Sequence, residues 1–330
     1  MNELRVYDRI SDAVGWTPMV RLHASVEGLP GEIFAKLELL NPMGSVKDRV
    51  ARHLVQTALR EGALGADGVI VEASSGNTAM GLAMMAILEG VRCKAVVRRE
   101  TSKEKLDALS ALGVELVLVD GSLPPEHPES YNRKARAVAA EIGGAFFPDQ
   151  HNNRRNNEAH YLGTGPEIWR QLEGRIDALV AGIGTGGTVS GVARRLKEHD
   201  PSIHVVAVDV EGSVFTDYFR TGSHGAPGRY LVEGLGDEEV IDCPEFELFD
   251  DMVQVSDREA FRAARELARS EAIFAGGSSG AALWAVRQIA PALERRLEGP
   301  PRIVTIFPDS GHRYLSTIYN DDWMRERGFL

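Results

Sequence analysis

Apolar and polar residues along this chain fall into alternating blocks of two kinds. Short, nearly continuous apolar runs occur at "EIFAKLEL" (32–39), "GVIVEA" (68–73), "CKAVVR" (93–98), "VELVLVD" (114–120), "ALVAGIG" (178–184) and "IHVVAVDV" (203–210). Runs of this length read as strands, and their continuity predicts burial on both faces. Between them, helical spacing predicts helices over about 48–61, 77–88 and 103–113 and in "VARRLKEHD". Buried strands alternating with helices predict an α/β fold of mostly parallel sheets flanked by helices. Another helix is expected in "SDREAFRAARELARS", where Ser256 and Glu259 have the spacing of a capping box. Two stretches rich in Pro, Gly and Ser, 121–131 and 221–229, read as loops. The second precedes "YLVEGLGD" and is a candidate flap.

Composition narrows the picture. With 330 residues there is room for two domains with sizeable cores. The formal net charge of -11 argues against a general attraction to nucleic acid or anionic membrane. Cys93 and Cys243 are the two cysteines, far apart and without a CxxC, so neither a disulfide framework nor a structural zinc is expected. The nine histidines show no metal-ligand spacing, and no metal is expected. The beginning, "MNELRVYDRI", is charged and has no apolar signal core. No apolar run reaches the roughly 18–20 residues needed to span a bilayer. The expected setting is cytoplasmic, without nucleic-acid or membrane partners.

Four stretches concentrate the chemistry. In "NPMGSVKDR", Lys47 follows a turn made by Asn41, Gly44 and Ser45. A lysine at a helix start is ordinarily a solvated cation. One aimed inward by a tight turn is a candidate amine nucleophile for a Schiff base. In "EASSGNTAMGLA", a buried strand runs into Ser74, Ser75, Gly76, Asn77 and Thr78 and then a helix. Capping needs one such polar residue; this concentration of donors at a helix N-terminus suits an anion such as a carboxylate. In "AGIGTGGTVSG", strand, glycine loop and helix form a phosphate cradle by position. The same stretch satisfies G-x-G-x-x-G at Gly182, Gly184 and Gly187, with Asp209 at the end of the next strand, so a nicotinamide dinucleotide is a rival ligand. In "FAGGSSGAAL", two glycines deliver Ser278 and Ser279 to a helix start, as a flexible N-cap would also do. An amine, a phosphate cradle, a carboxylate loop and a serine for a ring together match the needs of pyridoxal 5'-phosphate. A dinucleotide leaves Lys47 and the Ser-Ser-Gly-Asn-Thr loop without a role.

These motifs resemble those of the cysteine synthase and cystathionine β-synthase family, the fold type II pyridoxal-phosphate enzymes that include tryptophan synthase β. The resemblance runs from "GWTPMVRL" (15–22) to "DDWMRERGFL" (321–330). Ala73, Ser74 and Ala79 depart from the family's Glu-Pro-Thr-Ser-Gly-Asn-Thr-Gly, and His151 stands where an aromatic is usual. The resemblance implies a larger cofactor-binding domain, 1–40 with 151–330, and a smaller mobile domain, 41–150, that closes on the substrate carboxylate.

It also implies roles residue by residue. Lys47 would carry the cofactor as an internal aldimine and shuttle the Cα proton. Asn77 would bond the ring oxygen, and Gly184, Thr185, Gly186, Gly187 and Thr188 would hold the phosphate. Ser278 would meet the pyridine nitrogen, while Ser74, Ser75, Asn77, Thr78 and Gln150 would bind the substrate carboxylate. The implied reaction is β-replacement on small amino-acid substrates, L-serine or an O-activated L-serine, through an aminoacrylate. A thiol acceptor gives cystathionine or cysteine. Glu233 in the flap would meet an incoming amino group, and a diaminopropionate-type synthase with an amine nucleophile stays open. So do a nicotinamide oxidoreductase and a non-catalytic amino-acid-binding protein. A homodimer is expected in the family manner, and from the chain's two ends no haem and no adenosylmethionine response.

Overall fold

The computed structural model describes residues 6–124, 127–297 and 299–330. Ten strands run among them: β1 (Met19–Arg21), β2 (Glu32–Leu37), β3 (Val69–Ala73), β4 (Arg92–Arg98), β5 (Glu115–Val119), β6 (Ala145–Phe146), β7 (Ala178–Gly182), β8 (His204–Val210), β9 (Asp251–Val255) and β10 (Arg302–Phe307). They form a six-stranded sheet in the order β1-β2-β10-β7-β8-β9 and a four-stranded sheet in the order β5-β4-β3-β6. Every pairing is parallel except that of β1 with β2. The chain is α/β with two mostly parallel sheets flanked by helices, as the apolar runs predict.

The chain divides into two compact units, residues 1–15 with 41–155 and residues 16–40 with 156–330. Residues 6–15, placed with the larger domain by the sequence reading, group here with the smaller unit. Two sets of contacts account for it. The Gly15 N–H donates to Asn41 Oδ1 at 2.9 Å, and the Arg52 guanidinium donates to the carbonyls of Ser11 and Val14, both at 3.0 Å.

In the larger unit the two-residue strand period divides one continuous apolar run between two cores. Val206 and Val208 pack with Ile303, Phe307, Phe261, Leu283 and Val286 on one face. Val205 and Ala207 pack with Val304, Ile306, Val189, Val192 and Leu196 on the other. Helices Asp257–Ser270 and Gly277–Leu297 cover the first face, and Gly187–His199 covers the second. The Ser256–Glu259 capping box forms as its spacing predicts, with Ser256 accepting the Glu259 N–H and Glu259 accepting the Ser256 N–H. In the smaller unit, Ile70, Ala95 and Val97 pack with Val55, Ala58, Leu82 and Met85. Helices Lys47–Arg60 and Asn77–Glu89 supply that layer.

The sequence reading passes over four strands, β1, β6, β9 and β10. Of the two expected loops, 121–124, 127–130 and 222–229 carry no helix or strand, while Tyr131 begins helix Tyr131–Glu141 and Thr221 ends helix Phe215–Thr221. Pro125 and Glu126 of the first, and residues 1–5 of the charged beginning, lie outside the described residues. No helix among the described residues is long and apolar enough to cross a membrane.

Close helix contact supplies a stability test. A Cβ on Gly280 would lie 2.0 Å from the Ala260 carbonyl oxygen and 2.5 Å from the Ala264 nitrogen. Both are rigid backbone atoms, so Gly280→Ala is expected to destabilise by about 1–3 kcal/mol. The urea unfolding midpoint checks this; an unchanged midpoint contradicts the close packing.

Candidate active site

In the smaller unit, the turn 41–46 delivers Lys47 as the first residue of helix Lys47–Arg60. Gly44 has φ +78°, a conformation that favours glycine. Its N–H donates to the Asn41 carbonyl at 2.8 Å, closing the turn. The buried Asp48 carboxylate reaches back to the Met43 N–H at 2.6 Å, and the Lys47 N–H donates to Ser45 Oγ at 3.2 Å. Lys47 itself is half-buried. A Cβ on Gly81 would lie 3.1 Å from the Lys47 carbonyl oxygen and 2.9 Å from Ala51 Cβ. Helix Asn77–Glu89 therefore comes in against the start of the lysine helix, and the polar loop that precedes it belongs to the same unit as Lys47.

That loop is held from several sides. Ser74 Oγ accepts the N–H of Ala79 at 3.1 Å, although the N-cap position of the helix is Gly76, which offers no side chain. Thr78 Oγ1 donates to Gln150 Oε1 at 2.6 Å, joining two residues predicted to share a carboxylate. Ser75 hydrogen-bonds with Tyr131, whose ring lies under the Arg98 guanidinium at 5.0 Å. Desolvation holds the Tyr131 phenol proton well above its usual range. Ala79, where the motif has glycine, is buried in the core beside Leu82 and Ala83.

Glu72, the residue beneath the loop, is 2% exposed. Its Oε1 accepts the Ala73 N–H at 3.0 Å, and the backbone of Asp149 and Gln150 lies close to the carboxyl. Burial, and then the nearby Asp149 carboxylate, push its pKa from 4.5 up to about 8.

The larger unit carries the glycine loop. Gly186 has φ +81° and precedes helix Gly187–His199. A Cβ on Gly184 would lie 2.3 Å from the Gly234 carbonyl oxygen, and one on Gly187 would lie 2.1 Å from Asn156 Oδ1. The loop thus presents backbone N–H groups at a helix N-terminus, with Thr185 and Thr188 as added hydroxyls, which fits a phosphate. Asn156 Nδ2 donates to Thr185 Oγ1 at 2.8 Å. His160, fully buried, lies 3.1 Å from Thr188 Oγ1 through Nε2 and 2.9 Å from Thr164 Oγ1 through Nδ1. Four residues apart, Asn156 and His160 both reach the glycine loop. The sequence reading did not single them out; their spacing on a polar helix is the signal it left unused. His160 also opens the π-helical turn His160–Thr164, a local form frequent at functional sites.

Ser278 is 5% exposed and second in helix Gly277–Leu297. The preceding Gly276 is pinned, its N–H donating to the Asp309 carbonyl at 3.1 Å, while Asp309 Oδ2 accepts the Tyr314 hydroxyl at 2.7 Å. Glu233 is exposed, and with burial and Asp309 its charge helps raise the Tyr314 phenol pKa. Leu231 and Val232, just before it, donate their N–H groups to Asp257 at 2.9 Å. Asp209, on which the dinucleotide reading relied, is fully buried and receives the N–H and hydroxyl of Thr216 at 3.0 and 2.7 Å. A carboxylate buried in that way is not placed for a ribose.

The match to the pyridoxal-phosphate dependent enzymes covers residues 10–309. The chain belongs to that family, and within it is a cystathionine β-synthase-like, fold type II enzyme dependent on pyridoxal phosphate. It is 40% identical over 328 residues to a cystathionine beta-synthase of Apis mellifera, covering 99% of this chain and 64% of that protein. It is also 40% identical over 318 residues to an N-(2-amino-2-carboxyethyl)-L-glutamate synthase of Ralstonia nicotianae, covering 96% of this chain and 90% of that one. Among solved structures, an O-acetylserine dependent cystathionine beta-synthase of Helicobacter pylori superposes with TM-score 0.85 at 35% identity, over 96% of this chain and all of that one. A hydrogen sulfide-producing enzyme of Fusobacterium nucleatum gives TM-score 0.83 at 31% identity, over 94% and 98% of the two chains.

The Glu72 environment makes a prediction about stability. The folded chain holds this proton more tightly than the unfolded chain does. Its contribution is complete below about pH 4.5 and is lost as pH rises toward about 8. Between these limits the wild type is expected to lose on the order of a few kcal/mol relative to Glu72→Gln, which does not titrate. Denaturant titrations of both proteins at several pH values check this. Parallel curves contradict it.

Proposed function

We propose that this chain catalyses β-replacement on an L-serine-type donor, L-serine or O-acetylserine, with a thiol, homocysteine or sulfide, as acceptor. The observation that carries the reading is the Ser74–Thr78 loop with Gln150, a set of hydroxyl and amide groups at a helix N-terminus in the same unit as Lys47. Such a set suits an amino-acid carboxylate, and a lysine is the base that α-amino-acid chemistry requires. The names of the Apis mellifera and Helicobacter pylori proteins support the thiol acceptor.

In this reading Lys47 would hold the cofactor and, once freed from it, would remove the proton from the donor's Cα. Ser74, Ser75, Asn77, Thr78 and Gln150 orient the carboxylate. Gly184, Thr185, Gly186, Gly187 and Thr188 hold the phosphate, with Asn156 and His160 bracing the two threonines, and Asn77 bonds the ring oxygen. Pyridoxal phosphate supplies the electron sink for the Cα carbanion. Ser278 meets its ring nitrogen as a neutral hydroxyl, too weak an acid to keep the ring protonated, which favours loss of a β-substituent over racemisation. The net change would break the donor's Cβ–O bond and form a Cβ–S bond, the acceptor's S–H proton leaving with the oxygen group as water or acetic acid, while Lys47 would return to Cα the proton it took. Closure of the smaller unit over the substrate, a homodimer and a cytoplasmic setting are part of the same proposal.

A second reading has an amine as nucleophile. The Ralstonia nicotianae synthase favours it, being as similar in sequence and nearly full length in the match. The exposed Glu233, near Tyr314, is suited to an acceptor that carries an amino group, in either reading.

Two outcomes are expected. Lys47→Ala should fold and lose turnover by at least about 10²-fold, the lower bound for removing a positioned general base; near wild-type turnover overturns the reading. The purified holoenzyme, given each donor with each acceptor and analysed by mass spectrometry, should yield cystathionine or cysteine. Product with an amine acceptor alone selects the second reading.

A further inference from the structure

Glu72 has a position that the proposed reaction leaves without a use. It is the penultimate residue of β3, at the end of the strand that leads into the Ser74–Thr78 loop. Its Oε1 accepts the N–H of Ala73 on the near side, and the backbone of Asp149 and Gln150 lies close to the carboxyl on the other. Gln150 in turn accepts the Thr78 hydroxyl at 2.6 Å. Strand end, carboxyl, residues 149–150 and Thr78 therefore form a closed ring of contacts, and the proposed carboxylate donors lie on it. Glu72 Oε2 is buried without a hydrogen-bond partner.

The surroundings disfavour a charge on that group. Facing it are the Asp149 carboxylate from the segment after β6, the buried Cys93 thiol from β4 and Tyr131 from helix Tyr131–Glu141. Arg98 lies over the Tyr131 ring, and Asp149 is paired with Arg136 at 3.1 Å. Burial, and then the Glu72 carboxyl, push the Cys93 thiol up to about 12. A carboxylate in such a place is costly unless fully paired. A substrate carboxylate on the loop above would add a further negative charge.

We propose that Glu72 is a positioning residue of the substrate-carboxylate site and acts as an uncharged carboxylic acid, its ionisation driving substrate carboxylates off the loop. The inference rests on the carboxylate reading of Ser74–Thr78. It adds a proton-dependent determinant of substrate affinity that touches neither substrate nor cofactor. Donor KM rises with pH as Glu72 ionises, while kcat is unaffected by this group.

The test uses 3-hydroxypropanoate, a serine analogue without the amine, as a competitive inhibitor of the holoenzyme. It has no group that titrates near neutrality. For the wild type, Ki is expected to rise about tenfold between about pH 7 and pH 9, following one group with a pKa of about 8. In Glu72→Gln the rise is expected to disappear. In Asp149→Asn, which removes the neighbouring charge and keeps Glu72, it should begin at lower pH. Equal pH slopes in wild type and Glu72→Gln overturn the inference and leave the β-replacement reading intact. If Glu72→Gln does not fold, an unmoved midpoint in Asp149→Asn overturns it instead. Failure of the inhibitor to compete with the donor at any pH overturns the carboxylate reading and this inference with it, whereas turnover tests the reaction separately.

Discussion

A backbone that brings its own N–H groups to an anion cannot carry side chains at the point of closest approach. The glycine loop of the larger unit has the form that this constraint demands. Neither Ser74–Thr78 nor Gly182–Thr188 contains a lysine or arginine. Each follows a buried parallel strand and leads into a helix N-terminus, where the helix dipole and exposed N–H groups favour negative charge. In the larger unit, the chain fits because glycines meet the Gly234 carbonyl, Pro244 and Asn156 where any Cβ would collide. In the smaller unit, Gly81 lets the helix behind the loop approach the turn that carries Lys47. Small residues at these places are a consequence of packing as much as of ligand chemistry.

The remaining polar groups serve to hold these loops still. Asn156 and His160 brace the threonines of the glycine loop, and Tyr131, Gln150 and Glu72 brace the polar loop. Most of these braces are neutral. A buried neutral hydrogen bond aligns a loop without creating a field that competes with the ligand's charge. Glu72 fits this pattern in its protonated form and breaks it when ionised. It is therefore the brace most sensitive to pH.

Much of this was legible in the sequence, for physical reasons that differ from element to element. β3, β4, β7 and β8 are short apolar runs between helices, and strands buried on both faces announce themselves that way. β6 has only two residues, and β9 mixes Asp and Gln with its apolar positions. β10, "RIVTIF", is as apolar as its neighbours, but its central place comes from pairing with β2 some 270 residues earlier, which no local pattern encodes. The grouping of residues 6–15 with the smaller unit is likewise set by long-range contacts of Asn41 and Arg52. In the site, motif residues stood out because their types are unusual for a turn. Asn156, His160 and Tyr131 did not, because each looks ordinary in its own helix and gains meaning only through what it touches.

The central claim is that Lys47 is the residue through which this chain holds pyridoxal phosphate. Borohydride reduction of the purified holoenzyme, followed by proteolysis and peptide mass spectrometry, tests it most directly. The account predicts a phosphopyridoxyl group on the peptide containing Lys47. The same group on another lysine, with the Lys47 peptide unmodified, would contradict it.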